Sequence, residues 1–296
     1  MAFTWWLTVS ETNRFKLLMC DLDGTLVGKG HVKNHADRQA LAGALESGLL
    51  VSICTGRSWR ESYHLIADLQ LNIPGVFSNG AELNSIATGE SIAAHPFSTD
   101  VIRELLSLCR AWKLNPIILL HQRAADDPLY VVDDLIKLHP ATADWFRRNG
   151  VSNLITNQLD DAMLQSCLRV GLVMDSPSAA DFTQRMESHF ENQISFHLLR
   201  ALHFDTTIVE IFSHGVDKWS GILRLCDRLE IDPQDVVTIG DDVNDIPMLL
   251  NARMSYAMGS APAHVRSSAK KTTLEHSQNG VAAAIADLLG AEPMAG

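Results

Sequence analysis

The chain has 296 residues, of which 46% are hydrophobic and 20% are charged, and this composition excludes a disordered chain and a coiled coil. Twenty-four basic residues against thirty-five acidic ones give a net charge of -11, which disfavours nucleic acid and anionic membranes as partners. The length suggests two domains, or one domain with a large insertion, and a small molecule is the expected ligand.

The cysteines and the N-terminus bear on where the protein works. Five cysteines are an odd number, and they show no C-x-x-C spacing, so we predict neither a disulfide framework nor a zinc site. The first residues lack the basic segment of a signal peptide, and no uncharged run reaches the ~18 residues of a membrane span. We therefore expect a cytoplasmic protein. The sequence leaves open its oligomeric state and the role of Trp5 and Trp6.

Short apolar runs alternate with helix-like segments in the first part of the chain. Buried strands are predicted at residues 15–20 and 49–54, with a helix at 36–48 between them and a further strand at 76–77. This alternation predicts an α/β fold with a doubly wound, Rossmann-like parallel sheet.

The middle of the chain is less regular. Polar turns at 124–128 and 175–178 and strands at 116–120 and 168–174 indicate an inserted α+β domain. The parallel pattern returns with a strand at 235–239, and the Ala-rich tail predicts a last helix. We assign the segments as an N-terminal extension at 1–14, a catalytic core at 15–83 and 203–296, and an inserted domain at 84–202.

Polar residues follow three of the predicted strands directly, at the sheet edge where open α/β sheets bind ligands. The motifs are D-L-D-G-T-L at 21–26, C-T-G-R at 54–57 and G-D-D-V-N-D at 240–245. Two like charges about 4 Å apart repel by about 4 kcal/mol at an effective dielectric of about 20, so clustered carboxylates require a cation. Oxygen ligands without His or Cys favour Mg²⁺. The candidate metal ligands are Asp21, Asp23, Asp241 and Asp245.

A lysine completes the predicted chemistry. Lys218, in G-V-D-K at 215–218, is a candidate for a second positive charge beside the carboxylates. A carboxylate nucleophile, a hydroxyl donor, a lysine and a magnesium ion together predict a phosphoryl-transfer site.

The four motifs, in this order, resemble those of the haloacid dehalogenase superfamily. S-N-G-A at 78–81 and A-M-G-S-A at 257–261 are similar to its Cof-type phosphatases, which carry a class IIB (C2-type) cap. The resemblance covers residues 15–83 and about 203–290. It implies a Mg²⁺-dependent phosphatase that hydrolyses small-molecule phosphate monoesters, sugar phosphates first, through an aspartyl-phosphate.

The resemblance also implies a role for each matched residue. Asp21 would attack phosphorus, and Asp23 would protonate the leaving alkoxide and then activate water. The implied ligands of the transferring phosphate are Thr55, the Gly56 amide, Lys218 and Asn244. Those of Mg²⁺ are Asp21, the Asp23 carbonyl, Asp241 and Asp245, and those of substrate or of the closed cap are Arg57 and Asn79.

Two alternatives stay open at this point. A phosphomutase acting on a hexose phosphate shares the paired aspartates, and a non-catalytic module could keep the fold to bind a phosphometabolite. The acid at Asp23 argues for hydrolysis, because cation-pumping ATPases of this superfamily have threonine there. Four polar residues of the inserted domain could set substrate specificity, but we interpret them as ordinary surface groups; they are His121, Asp126, Asp127 and Arg169.

Overall fold

The computed structural model describes residues 15–122, 129–132, 137–149, 153–156, 159–201 and 206–290. The N-terminal extension with Trp5 and Trp6, and the predicted polar turn at 124–128, lie outside these residues. Within the described ranges, no helix is long and apolar enough to cross a membrane.

The described chain divides into two compact units, each made of segments that are distant in sequence. The first unit contains residues 15–54, 65–73 and 222–290, and the second contains the described parts of 55–64 and 74–221. This division differs from the sequence-based boundaries at 55–64, 74–83 and 203–221. The functional division into core and inserted domain stays a prediction.

The first unit is built on a five-stranded sheet in which every pair of neighbouring strands is parallel. Its strands, in spatial order, are β14 (Lys271–Thr272), β13 (Met254–Ala257), β12 (Val236–Gly240), β1 (Leu17–Cys20) and β2 (Leu50–Ile53). β1 and β12 are buried throughout, which explains why their sequences are nearly continuous apolar runs rather than alternating ones.

Helices complete the first unit. They are α1 (His35–Glu46), α8 (Ile246–Asn251), α9 (Ala263–Arg266) and α10 (Gly280–Leu289), while α2 (Trp59–Ile66) and α7 (Lys218–Leu229) have residues in both units. α1 and α10 are joined where the Ala282 amide donates a 2.8 Å hydrogen bond to the Asp37 carboxylate, which is 1% exposed. Burial raises the pKa of Asp37 above its usual value, and the amide hydrogen bond counteracts part of that rise.

The second unit contains two sheets. The larger has the order β10 (Ile194–Ala201), β11 (Thr206–Ser213), β9 (Cys167–Asp175), β6 (Ile117–Leu120), β7 (Tyr130–Val132) and β8 (Asn153–Ile155). It is antiparallel except where β7 and β8 pair in parallel. The smaller sheet is antiparallel and contains β3 (Gly75–Phe77), β4 (Glu82–Asn84) and β5 (Ser91–Ala94).

In the described part of the second unit, four helices lie entirely within it: α3 (Thr99–Ala111), α4 (Pro140–Asn149), α5 (Asp161–Leu164) and α6 (Ser176–Phe190). The predicted polar turn at 175–178 is the start of α6, where the Asp175 side chain accepts a 2.8 Å hydrogen bond from the Ser178 amide. α3 and α6 share a hydrophobic core with the large sheet, which includes Ile102, Leu105, Phe182, Met186, Val170 and Val209.

Candidate functional site

Three carboxylates meet at the carboxyl end of the parallel sheet. β1 and β12 are in register, with Cys20 opposite Ile239, so the strands end at the same level. Asp21 follows β1, Asp241 follows β12, and Asp245 lies in the 3-10 turn Val243–Asp245. Each side chain offers one oxygen, and these oxygens lie within 4.8 Å of one another.

The chemistry of this carboxylate cluster fits a hard divalent cation. All of its donors are carboxylate oxygens, the type that Mg²⁺ and Ca²⁺ prefer. Asp21 is 4% exposed and Asp245 is fully buried. Their mutual repulsion is therefore less screened by solvent than it would be at the surface, and a bound cation would offset it.

The backbone around Asp245 fixes one side of the cluster. Its Oδ2 accepts hydrogen bonds from the amides of Asp241, at 2.8 Å, and Asp242, at 2.9 Å. A Cβ atom at Gly240 would lie 2.5 Å from the Asp245 Cγ, so only glycine leaves room for this carboxylate. Asp245 thus shapes the turn that carries Asp241.

Residues of the first motif fix the other side. Thr25 Oγ1 donates a 2.7 Å hydrogen bond to Asp241 Oδ1. Gly24 has a φ of +85°, and a Cβ atom there would lie 2.1 Å from Asp241 Oδ2. Gly24 and Thr25 therefore position Asp241, a role that sequence analysis did not assign to either residue, although both belong to the D-L-D-G-T-L motif.

Asp23 and Asn244 lie near these residues in sequence but outside the carboxylate cluster. The Asp23 side chain is exposed, and its backbone forms a bridge with Val27 in the turn that follows β1. Asn244 is half-buried in the 3-10 turn between Asp241 and Asp245. If Asp23 binds the metal, it would do so through its backbone carbonyl. The assignment of Asp23 to the metal and that of Asn244 to phosphate stay predictions.

In the second unit, two predicted motifs are joined by backbone hydrogen bonds. The Asn79 amide donates to the Thr55 carbonyl at 3.0 Å, and the Ser78 amide donates to the Arg57 carbonyl at 2.8 Å. The Thr55 amide donates to the carbonyl of Val76, in strand β3 just before Ser78, at 2.9 Å. These backbone hydrogen bonds place Asn79 next to residues 55–57, the segment that contains Gly56.

The turn Ser78–Gly80 has an unusual backbone. Ser78 and Asn79 are fully buried and have φ values of +51° and +52°. This left-handed conformation costs about 1–2 kcal/mol for a residue with a Cβ atom, and Asn tolerates it better than Ser. Such strain persists only where surrounding contacts fix the backbone, and it often marks functional sites.

Lys218 belongs to the segment that contacts this turn. A Cβ atom at Gly80 would lie 2.1 Å from the Asp217 carbonyl, so the glycine allows the turn to approach the backbone next to Lys218. Lys218 is fully buried at the first position of α7. A buried lysine is rare unless it is paired, which separates Lys218 from an ordinary solvated lysine.

The interpretation of Arg169 and His121 as surface residues is wrong. The Arg169 side chain is 13% exposed and contacts Glu210 at 2.6 Å, and His121 is half-buried and contacts Glu82 at 2.6 Å. Sequence analysis missed Glu210 altogether. The sequence signal that could have identified Glu210 is a charged residue within a largely apolar strand. Such a strand lacks the alternation of polar and apolar residues that is typical of a sheet with one solvated face. Asp126 and Asp127 lie outside the described residues.

The chain is similar in sequence to a known family and to several known proteins. The sequence profile of the haloacid dehalogenase-like hydrolases matches residues 18–285. The chloroplastic endoribonuclease YBEY of Arabidopsis thaliana is 24% identical over 92% of this chain, and the chain spans 46% of that protein's length. The Bacillus subtilis 5-amino-6-(5-phospho-D-ribitylamino)uracil phosphatase YwtE is 26% identical, with 94% of this chain and 99% of that protein covered.

Solved structures show the same architecture. The structure of the subclass IIB sugar phosphatase BT4131 is 20% identical to this chain, covers 92% of it and 98% of its own length, and has a TM-score of 0.74. At this identity the likeness establishes the fold.

Proposed function

The chain belongs to the haloacid dehalogenase-like hydrolase family, and from this premise we propose that it is a Mg²⁺-dependent phosphatase of small-molecule phosphate monoesters that acts through an aspartyl-phosphate on Asp21. The predicted family, the predicted α/β fold with an inserted α+β domain, and the predicted enzyme class, a hydrolase of phosphate monoesters, are confirmed. The main observation in support of Mg²⁺ dependence and of an aspartyl-phosphate on Asp21 is the cluster of Asp21, Asp241 and Asp245.

The cluster supports the proposed metal. Asp21, Asp241 and Asp245, with the carbonyl of Asp23, would hold Mg²⁺. When bound, the ion would offset the charge of the carboxylates and of the transferring phosphoryl group. The hydrogen bond from Thr25 and the close approach at Gly24 keep the Asp241 carboxylate aimed into the cluster.

Asp21 and Asp23 would divide the chemistry between them. An Asp21 oxygen attacks phosphorus, the bond between phosphorus and the leaving oxygen breaks, and Asp23 gives its proton to the departing alkoxide. Asp23 then takes a proton from water as the water oxygen attacks the phosphorus of the aspartyl-phosphate. Inorganic phosphate leaves, and the Asp21 carboxylate is restored.

The remaining predicted residues would bind phosphate. We assign Thr55, the Gly56 amide, Lys218 and Asn244 to the phosphoryl oxygens on the basis of motif order. Arg57 and Asn79 are assigned to substrate binding on the same basis. Burial of Lys218 and of the strained Asn79 turn supports a functional rather than a solvated role for these two positions.

Sugar phosphates are the proposed substrate class. The Bacillus relative is named for a phosphoribityl compound and the solved structure for a sugar phosphatase, so both names point to phosphate esters of polyhydroxylated carbon chains. A net charge of -11 is consistent with a small substrate rather than a nucleic acid.

Phosphate release from a panel of sugar, nucleotide, cofactor and amino-acid phosphates, with and without Mg²⁺, tests the proposal. Asp21→Asn serves as the blank, and Asp181→Asn, an aspartate whose side chain is 61% exposed, is the matched control. We expect Mg²⁺-dependent release that disappears with EDTA and in Asp21→Asn but not in Asp181→Asn. No release from the panel or from p-nitrophenyl phosphate would overturn the proposal. Conversion of a hexose 1-phosphate to the 6-phosphate would favour the mutase.

A further inference from the structure

A buried polar network in the second unit joins Asn79, which is assigned to substrate binding, to four residues that have no role in the chemistry described so far. It consists of Glu61, Asn79, Tyr130, Arg169 and Glu210, and we call it the Arg169 network. Asn79 is fully buried, Tyr130 is 1% exposed, Glu61 is 9% exposed and Glu210 is 6% exposed. Burying this many polar groups is costly unless each is paired, so the pairing indicates what the network holds in place.

Arg169 is the centre of the network. Its Nη1 donates to Glu210 Oε1 at 2.6 Å and to the Gly56 carbonyl at 3.3 Å, and its Nη2 donates to Tyr130 Oη at 2.9 Å. One guanidinium therefore links β9, β11 and β7 to the segment 55–57. Only the planar fork of arginine offers several donors at fixed angles to do this.

The Tyr130 branch reaches Ser58, the residue that directly follows this segment. Tyr130 Oη donates to Glu61 Oε1 at 3.0 Å. Glu61 Oε2 accepts hydrogen bonds from the amide of Ser58, at 2.8 Å, and from its hydroxyl, at 2.7 Å. Burial, reinforced by Glu61, raises the pKa of Tyr130 well above its usual value, so the hydroxyl keeps the proton that it donates.

The Glu210 branch reaches the strained turn. Glu210 Oε2 accepts a 3.0 Å hydrogen bond from Asn79 Nδ2, while its other oxygen pairs with Arg169. The Asn79 side chain is thus held by the same carboxylate that holds the guanidinium contacting Gly56. The backbone hydrogen bond from Asn79 to Thr55 closes the loop of contacts.

Stability alone does not explain this arrangement. Desolvation of a buried ion pair offsets most of its attraction, and apolar residues of similar size often stabilise a fold as well or better. What a buried pair does supply is a fixed geometry. In this chain that geometry acts at Gly56 within segment 55–57, at Ser58 directly after it, and at Asn79.

We propose that Arg169 and Glu210 are positioning residues, which fix the Gly56 carbonyl and the Asn79 side chain and thereby hold the Thr55 hydroxyl and the Gly56 amide in the geometry that binds phosphate. The proposal rests on the proposed function, because that function assigns segment 55–57 to phosphate. Neither residue would touch the substrate.

Conservative variants test the proposal against matched surface controls. Arg169→Lys keeps the charge but loses the fork, and Glu210→Gln keeps the shape but loses the charge. Arg185→Lys and Glu104→Gln are the controls, with side chains 60% and 54% exposed. At a temperature where circular dichroism shows every variant folded, we expect kcat/KM to fall at least tenfold in the network variants and to stay within twofold in the controls.

A double-mutant cycle with Thr55→Ala tests whether the effect passes through the phosphate segment. If Glu210 acts by positioning Thr55, Glu210→Gln should lower kcat/KM much less in the Thr55→Ala background than in the wild type. Equal effects in both backgrounds would overturn the proposal. A lower Tm with unchanged kinetics in the folded variants would also overturn it, since that is the signature of a purely structural role.

Hydrogen exchange gives a readout that does not depend on activity. We expect the amides of Thr55, Ser78 and Asn79 to exchange at least tenfold faster in Glu210→Gln, while Val237 in β12 is unchanged. If the wild type releases no phosphate yet these amides respond, the positioning stands and the proposed function fails. If the wild type is active and these amides do not respond, the positioning is refuted.

Discussion

Gly24→Ala separates the arrangement of the carboxylate cluster from the stability of the fold. The new methyl group would lie 2.1 Å from Asp241 Oδ2. An ordinary contact between carbon and oxygen is about 3.3 Å, so the Asp241 carboxylate must move by about 1 Å. A functional site tolerates displacements of only ~0.5 Å, and we therefore expect Gly24→Ala to lose metal binding.

The same substitution also carries a backbone penalty, which a control can isolate. Gly24 has a φ of +85° and Gly48 has a φ of +89°, but a Cβ atom at Gly48 would meet nothing within 4 Å. Each alanine variant should lose about 1–2 kcal/mol of unfolding free energy from the left-handed backbone alone. Any additional effect in Gly24→Ala then comes from the displaced carboxylate.

Thermal unfolding with and without Mg²⁺ reads out both effects. A ligand at 100 times its Kd stabilises a fold by about 2.7 kcal/mol, so Mg²⁺ should raise the Tm of the wild type and of Gly48→Ala. We expect no such rise in Gly24→Ala, together with loss of phosphate release. A Gly24→Ala variant with the wild-type Mg²⁺ response would show that this glycine is not needed to position Asp241.

Three further predictions address other parts of the molecule. Asp23→Asn should slow hydrolysis of alkyl phosphates far more than that of p-nitrophenyl phosphate, whose leaving group needs no proton; equal losses in steady-state assays would exclude a general acid here. Gly80→Ala should unfold at a lower denaturant concentration than Gly215→Ala, because its Cβ would lie 2.1 Å from a backbone carbonyl whereas that of Gly215 meets nothing. Burial lowers the pKa of His197 below 6.5, so the unfolded chain binds its proton more readily and the free energy of unfolding should fall as the pH drops through 6.5. His197→Gln should make the free energy of unfolding, measured by denaturant titration at pH 5 to 8, less dependent on pH. An unchanged pH dependence would show that His197 is not its source.

The parallel sheet was predictable from the sequence because its signals are local. A strand buried on both faces must be apolar throughout, and β1 and β12 are such runs. The helix predicted at 36–48 forms at His35–Glu46, and the strand predicted at 49–54 forms at Leu50–Ile53. Ends shift by one or two residues because capping and fraying, rather than the apolar period, decide where an element stops.

The carboxylate cluster was predictable for a related reason. Asp21 and Asp241 each come directly after a strand, and parallel neighbours in register bring such residues together. The roles of Gly24 and Thr25 could not be predicted in the same way. In the sequence, a glycine that only permits a turn looks the same as one that makes room for a carboxylate 217 positions away.

The Arg169 network shows where local reasoning fails. A lone charged residue in a strand is usually on the surface, and the sequence alone gives Arg169 no partner. Its partners lie 41 positions away, at Glu210, and 113 positions away, at Gly56. Pairing of this kind depends on the antiparallel register of β9 and β11, in which Arg169 lies opposite Phe212 and Gly171 lies opposite Glu210. That register is set by the whole sheet.

The carboxylate cluster and segment 55–57 are therefore positioned by different kinds of contact, and substitutions should affect them differently. In the carboxylate cluster, both members of each positioning contact lie in the motifs at 21–26 and 240–245, so changes that add volume there should impair metal binding directly. In segment 55–57 the positioning groups belong to strands outside the motifs. Substitutions at residues that are not proposed to touch phosphate or metal should then alter the proposed phosphate binding, while the expected Mg²⁺ response of the first unit stays intact.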